Sequence, residues 1–172
     1  MKKIKIGIFS LVLLSACANS PMHIQQANKI IDSFTKEIKV RSNLLLFGRG
    51  GAFMNDIQEF DLDYFSYRNV SVEESRVELV TNVEILLSNI NRDYEVRPYL
   101  HDYPFTFSNI HFGLVYTDKC TNSWTKAPYI ASTTLIEGNI YYDIYNIQKK
   151  KLETVYQEPY AEALRIMQQS GL

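Results

Sequence analysis

The chain has 172 residues, with 18 Lys and Arg against 19 Asp and Glu and a formal net charge of −1. That length fits one ordinary domain, and the near-neutral balance argues against nucleic-acid binding by phosphate neutralisation. An apolar share of 46% with 22% charged residues belongs to a folded chain rather than a disordered one, and two cysteines exclude a disulfide-dense scaffold and a four-cysteine zinc site.

The chain opens with Lys2, Lys3 and Lys5, followed by an apolar run from Ile6 to Leu14. The run is too short for a bilayer, which needs about 20 apolar residues. Basic start, brief apolar stretch and small residues after it have the form of a secretory leader. The small-residue end, Leu14-Ser15-Ala16-Cys17, resembles the lipobox of bacterial lipoproteins. The resemblance covers only the leader. It implies cleavage before Cys17, a diacylglycerol on the Cys17 thiol and a mature protein held in the cell envelope, facing away from the cytoplasm. In a Gram-negative envelope, Ala18 in place of Asp favours the outer membrane. The implied organisation is a signal peptide over 1–16, a short lipid-anchored tether over 17–22 and one domain over 23–172. Removing residues 1–16 takes three lysines and no acid, so the charge moves from −1 to −4. Cys120 is left without a pairing partner and is expected to be buried, as free cysteines usually are.

His23 to Val40 carries apolar residues at Ala27, Ile30, Ile31, Phe34 and Ile38, a single helical stripe. Lys29, Lys36 and Lys39 lie off it, diluted by Asp32 and Glu37, which reads as a solvated face. Leu44 to Phe47 is a short strand, and Gly48-Arg49-Gly50-Gly51 is expected to turn. It has neither the Gly-Lys-Ser/Thr ending nor the spacing of a phosphate loop. From Gln58 to Tyr67, Phe60, Leu62 and Tyr64 alternate with Glu59, Asp61 and Asp63, so a half-buried strand with an acidic face is expected. Ser71 and Glu74 form a capping box. The helix they open buries Val77, Val80, Val83, Leu87 and Ile90 and ends near Asn91.

Asn91 to Ser108 connects this helix to the next strand and is rich in large side chains. Long connections of this kind are packed on themselves or functional. Arg97, Tyr99, His101, Asp102 and Tyr103 form the candidate binding loop. The stretch Arg97–Thr106 resembles segments of small bacterial secreted or lipid-anchored proteins of uncharacterised function. That resemblance brings no activity, and implies a shared structural loop in which Arg97 and Asp102 satisfy buried backbone groups.

A meander follows. Ile110, Phe112, Leu114 and Tyr116 alternate with His111, Gly113, Val115 and Thr117. Pro128 to Ile136 is β-branched, Gly138-Asn139 signals a hairpin, and Ile140 to Ile147 continues the ladder. Lys149-Lys150-Lys151 marks a turn or guarded edge, Leu152 to Tyr156 one more strand, and Pro159 the start of a last helix. Strands clustered apart from helices predict an α+β fold: an antiparallel sheet of about five strands, two longer helices and a short C-terminal helix.

Chemistry is sparsely signalled. Three histidines lack metal-ligand spacing, so no metal or other cofactor is expected. Cys120 has no activating neighbour and there is no G-x-S-x-G. Asp61 and Asp63 share one strand face, a solvated face first and a carboxylate pair second. Tyr116, Tyr129, Tyr141, Tyr142 and Tyr145 fall on neighbouring strands, with Tyr141 and Tyr142 on opposite faces, which reads as ordinary sheet packing first and an aromatic binding surface second. The expected function is a membrane-anchored, non-enzymatic binding or structural module of the envelope, with an envelope or host protein as partner. A lipid-anchored hydrolase using His101 and a carboxylate, and a subunit of an envelope assembly or secretion complex, are the alternatives.

Overall fold

A computed structural model describes residues 20–171. The leader, Cys17 and Ala18 lie outside the described residues. In chain order the elements are α1 (Met22–Ser42), β1 (Leu45–Ala52), β2 (Glu59–Ser66), α2 (Val72–Arg92), β3 (Ile110–Tyr116), β4 (Ser132–Ile136), β5 (Asn139–Asn146), β6 (Lys151–Pro159) and α3 (Tyr160–Gln169). Two single 3₁₀ turns, Arg97–Tyr99 and Phe107–Asn109, lie between α2 and β3.

The fold is α+β, as expected. The six strands form one sheet in sequence order, β1 to β6. It is not wholly antiparallel: β2 and β3 run parallel, with Phe60 opposite Ile110 and Tyr64 opposite Leu114. The cause is α2, which carries the chain back to the end where β2 began, so that β3 repeats its direction. The four remaining pairings are antiparallel.

β1 is longer than expected because the glycine run is no turn. Gly48, Arg49, Gly50 and Gly51 continue β1 and pair with Asp63, Leu62, Asp61 and Phe60. The hairpin between β4 and β5 also sits one residue earlier than expected. Its turn is Glu137-Gly138, both at positive φ, and Asn139 already belongs to β5.

The helices pack on the sheet face carrying Phe60, Leu62, Tyr64, Phe112 and Leu114. Phe34 of α1 meets Tyr64 and Phe112 edge to face, at 6.1 and 6.2 Å between ring centroids. Ala27, Ile30, Ile31, Phe34 and Ile38 are all buried, so the stripe read from the sequence is the packing stripe. In α2 the capping box is present, with Ser71 Oγ accepting from Glu74 N–H and the Glu74 carboxylate accepting from Ser71 N–H. Val77 is only half-buried, whereas Arg76, Glu78, Leu79 and Leu86 are buried. The helix lies between α1, α3 and the sheet, so its buried surface is wider than one stripe.

The buried charged residues of that core are paired. Arg76 on α2 holds Glu158 on β6 through Nε at 2.7 Å and Nη2 at 3.2 Å, and Tyr142 donates its hydroxyl to the same carboxylate at 2.5 Å. Burial works against the Arg76 charge, and the Glu158 carboxylate outweighs it, holding the guanidinium pKa above its ordinary value. Glu78 receives Tyr116 Oη at 3.0 Å and Arg68 Nη1 at 3.3 Å. Cys120 is not in the core. It is exposed in the 117–131 loop, its backbone N–H held by Asp118 Oδ1. The Asp118–Ser123 stretch around it is polar and has no apolar face to bury.

Candidate functional site

The opposite sheet face carries the alternate residues of each strand, and among the described residues no helix packs on it. Asp61, Asp63 and Phe65 of β2 stand beside His111, Gly113 and Val115 of β3. Thr134 and Tyr141 continue the row that begins Gly48, Asp63, Gly113.

Asp63 is the distinctive residue of this face. Both of its cross-strand neighbours are glycines, and its carboxylate lies flat over them. A Cβ at Gly48 would sit 2.6 Å from Asp63 Oδ2, and one at Gly113 would collide with Asp63 Oδ1. The absence of side chains at 48 and 113 is therefore what admits the carboxylate. Burial pushes the Asp63 pKa up, the Asp61 charge adds to this, and His111 partly opposes it. Asp61 Oδ1 is 3.6 Å from His111 Nδ1 and has no hydrogen-bond partner among the described residues. The result is a glycine-floored trough holding two carboxylates, one of them with raised proton affinity.

Aromatic rings border the trough. Phe47, placed on this side by the irregularity in β1, stacks on Phe65 with centroids 4.0 Å apart. A depression of about 300 Å³ lies between Phe65, Tyr67, Thr117 and Asn122. Further along, Trp124 stacks on Tyr145 at 6.1 Å. The tyrosines divide as alternation requires. Tyr116 and Tyr142 are fully buried on the helical side, while Tyr141 and Tyr145 are half-buried on the open side. Tyr129 is exposed at its margin.

The candidate loop does not reach this face. Arg97, Tyr99, His101, Asp102 and Tyr103 lie at one end of the sheet, against the β1–β2 connection. Arg97 is clamped between the Tyr94 and Tyr103 rings, 4.7 and 4.3 Å from their centroids, and donates Nη2 to Asn91 O at 3.2 Å. Tyr99 O accepts from Ile57 N–H and His101 N–H donates to Ile57 O, each at 2.8 Å. Arg97 thus satisfies a backbone carbonyl through Nη2. Asp102 does not: it is exposed, and among the described residues no hydrogen bond reaches its carboxylate.

His101 Nδ1 lies 2.7 Å from Asp56 Oδ2. That hydrogen bond raises the His101 pKa, and the Asp56 and Asp102 charges reinforce it. Among the described residues the pair's other side-chain hydrogen bond comes from Gln58 Nε2, so no hydroxyl or thiol nucleophile is in place on it. No group of three or more metal-ligating side chains occurs among the described residues.

Comparison with protein-family models, with curated proteins and with solved structures finds no match.

Sequence reasoning placed Asp61 and Asp63 on one face and assigned the alternation of β2 and β3 correctly. It missed Gly48 and Gly113 as the bed of Asp63, and Phe47 and Trp124 as ring partners. Gly113 inside a clean strand pattern was the available signal, since glycine there marks close approach of another group.

Proposed function

We propose that the chain is a lipid-anchored, non-enzymatic binding module of the bacterial cell envelope. Its partner is an envelope or host protein presenting basic side chains to the open sheet face. The observation that carries this reading is the trough. Asp61 and Asp63 stand over glycines on a face that no helix covers among the described residues. Neither carboxylate is satisfied by an arginine or lysine of this chain among the described residues. An incoming guanidinium or ammonium group supplies the missing partner, and Phe65 and Tyr67 offer ring faces to the same cation. The anchor is read from Leu14-Ser15-Ala16-Cys17, which has the lipobox pattern. A second acyl chain makes membrane attachment stable where one is marginal.

The two parts are tested separately. Cells expressing the chain are labelled with palmitate, and Cys17→Ser is expected to abolish incorporation; continued labelling removes the anchor. For the face, benzoylphenylalanine replaces Phe65 in intact cells, with Lys36 on the outer side of α1 as control position. A protein cross-link from 65, absent from 36 and lost in Asp61→Asn/Asp63→Asn, is the expected result. A cross-link that survives the double substitution, or none from 65, overturns the proposed face.

A further inference from the structure

Four of the large apolar side chains left exposed lie around the end of the domain from which α1 begins. They are Met22 (52% exposed), Met54 (87%), Tyr94 (78%) and Tyr103 (52%). Named contacts tie their segments together. His23 Nε2 lies 2.8 Å from Phe53 O, joining the start of α1 to the β1–β2 turn that carries Met54. His101 meets Asp56 of the same turn at 2.7 Å, two residues before Tyr103. Lys29 of α1 pairs with Glu95, next to Tyr94, at 3.1 Å. These rings and thioethers therefore flank the beginning of α1.

The chain reaches Met22 from Cys17 in five residues, which span at most about 17 Å when extended at ~3.4 Å per residue. An acylated Cys17 holds this end within that distance of the bilayer. Tyrosine is enriched at the membrane–water boundary, where its ring and hydroxyl meet different media. Arg97, held between Tyr94 and Tyr103, adds a cation at headgroup depth with its charge shielded by two rings. Met54 stands in its turn with almost none of the described residues against it.

We propose that this end of the domain docks on the lipid surface, with Met54 and Met22 entering the headgroup boundary and Tyr94 and Tyr103 lying along it. The proposal rests on acylation of Cys17. It gives the Arg97–Tyr103 loop a role other than partner recognition, and it leaves the open sheet face clear of the membrane for a protein.

The test uses the full acylated chain in vesicles of phosphatidylcholine and phosphatidylglycerol, in a Cys120→Ser background. A fluorescent NBD label is placed at Met54→Cys. A second chain carries it at Asn55→Cys in the same turn, and a control at Ile147→Cys, in the β5–β6 turn at the opposite end. Nitroxide lipids are expected to quench the labels at 54 and 55 several-fold more than the label at 147. Equal quenching at both ends, with palmitate still on Cys17, overturns the docking and leaves the anchor standing. Failure of the parent chain to take up palmitate overturns both.

Discussion

Removing Arg76 while keeping Glu158 is the sharpest perturbation of this fold. The Glu158 side chain is only 2% exposed and that of Arg76 10%, so the pair is shut away from water. Arg76→Met strips the two guanidinium hydrogen bonds at 2.7 and 3.2 Å from a carboxylate that cannot be hydrated in their place. The Tyr142 hydroxyl at 2.5 Å remains, but it brings no countercharge. Breaking one partner of a buried ion pair costs about 3–5 kcal/mol. At ~2–4 °C per kcal/mol for a domain of this size, the melting temperature falls by about 6–20 °C. Arg76→Met combined with Glu158→Gln removes the orphaned charge and still accepts from Tyr142, so most of the loss is recovered. Urea titration followed by far-ultraviolet circular dichroism measures the parent, Arg76→Met, Glu158→Gln and the double variant. A single-variant loss below about 1 kcal/mol, or a double variant as unstable as the sum of the two singles, refutes the reasoning.

The remaining predictions concern the trough and its surroundings. Burial raises the Asp63 pKa in the folded chain, so ionising it costs folded-state stability as pH rises above the unfolded carboxylate value. Asp63→Asn should therefore melt higher than the parent at pH 7, and the gap should close in thermal melts taken toward pH 3. Gly113→Ala should destabilise by about 1–3 kcal/mol because its Cβ meets Asp63 Oδ1, and Asp63→Ala in the same chain should restore most of it. If urea midpoints show no such rescue, the flat carboxylate over glycine is wrong. Ser71→Ala removes a complete capping box and should cost about 1 kcal/mol in the same assay. Native Cys120 should react with Ellman's reagent without denaturant, since it is exposed. Protection until unfolding would place it in the core after all.

The sequence was most legible where one local pattern had one outcome. The stripe of α1, the Ser71–Glu74 box and the alternation in β2 and β3 each dictate a face without reference to distant residues. Partnership was not legible. Phe60, Leu62 and Tyr64 announce which side of β2 is buried, but not that β3 lies beside it in the same direction. The glycines mislead for a related reason. Glycine serves positive φ and close approach alike, and only Asp63 on the neighbouring strand reveals that Gly48 does the second. Cys120 followed its neighbours rather than its type: a polar loop held by Asp118 overrides the usual burial of a thiol. In the candidate loop Arg97 is clamped between Tyr94 and Tyr103 at the sheet's end, and the loop's side chains do not converge with the Asp61–Asp63 face.

The parallel pairing of β2 and β3 has a consequence for how the chain reaches this state. The other neighbouring pairs of strands are joined by tight turns or, between β3 and β4, by the 117–131 loop, so each closes over fewer residues than β2 and β3 do. Phe60 and Ile110 meet only after α2 and the whole 93–109 segment have been gathered between them. The loop-closure entropy of that step comes before its contacts form. Two locally closing pieces, α1–β1–β2 and the β3–β6 meander, are then joined across a single seam. Mutations along that seam, at Leu62, Tyr64, Phe112 or Leu114, should slow folding more than equally destabilising changes within either piece.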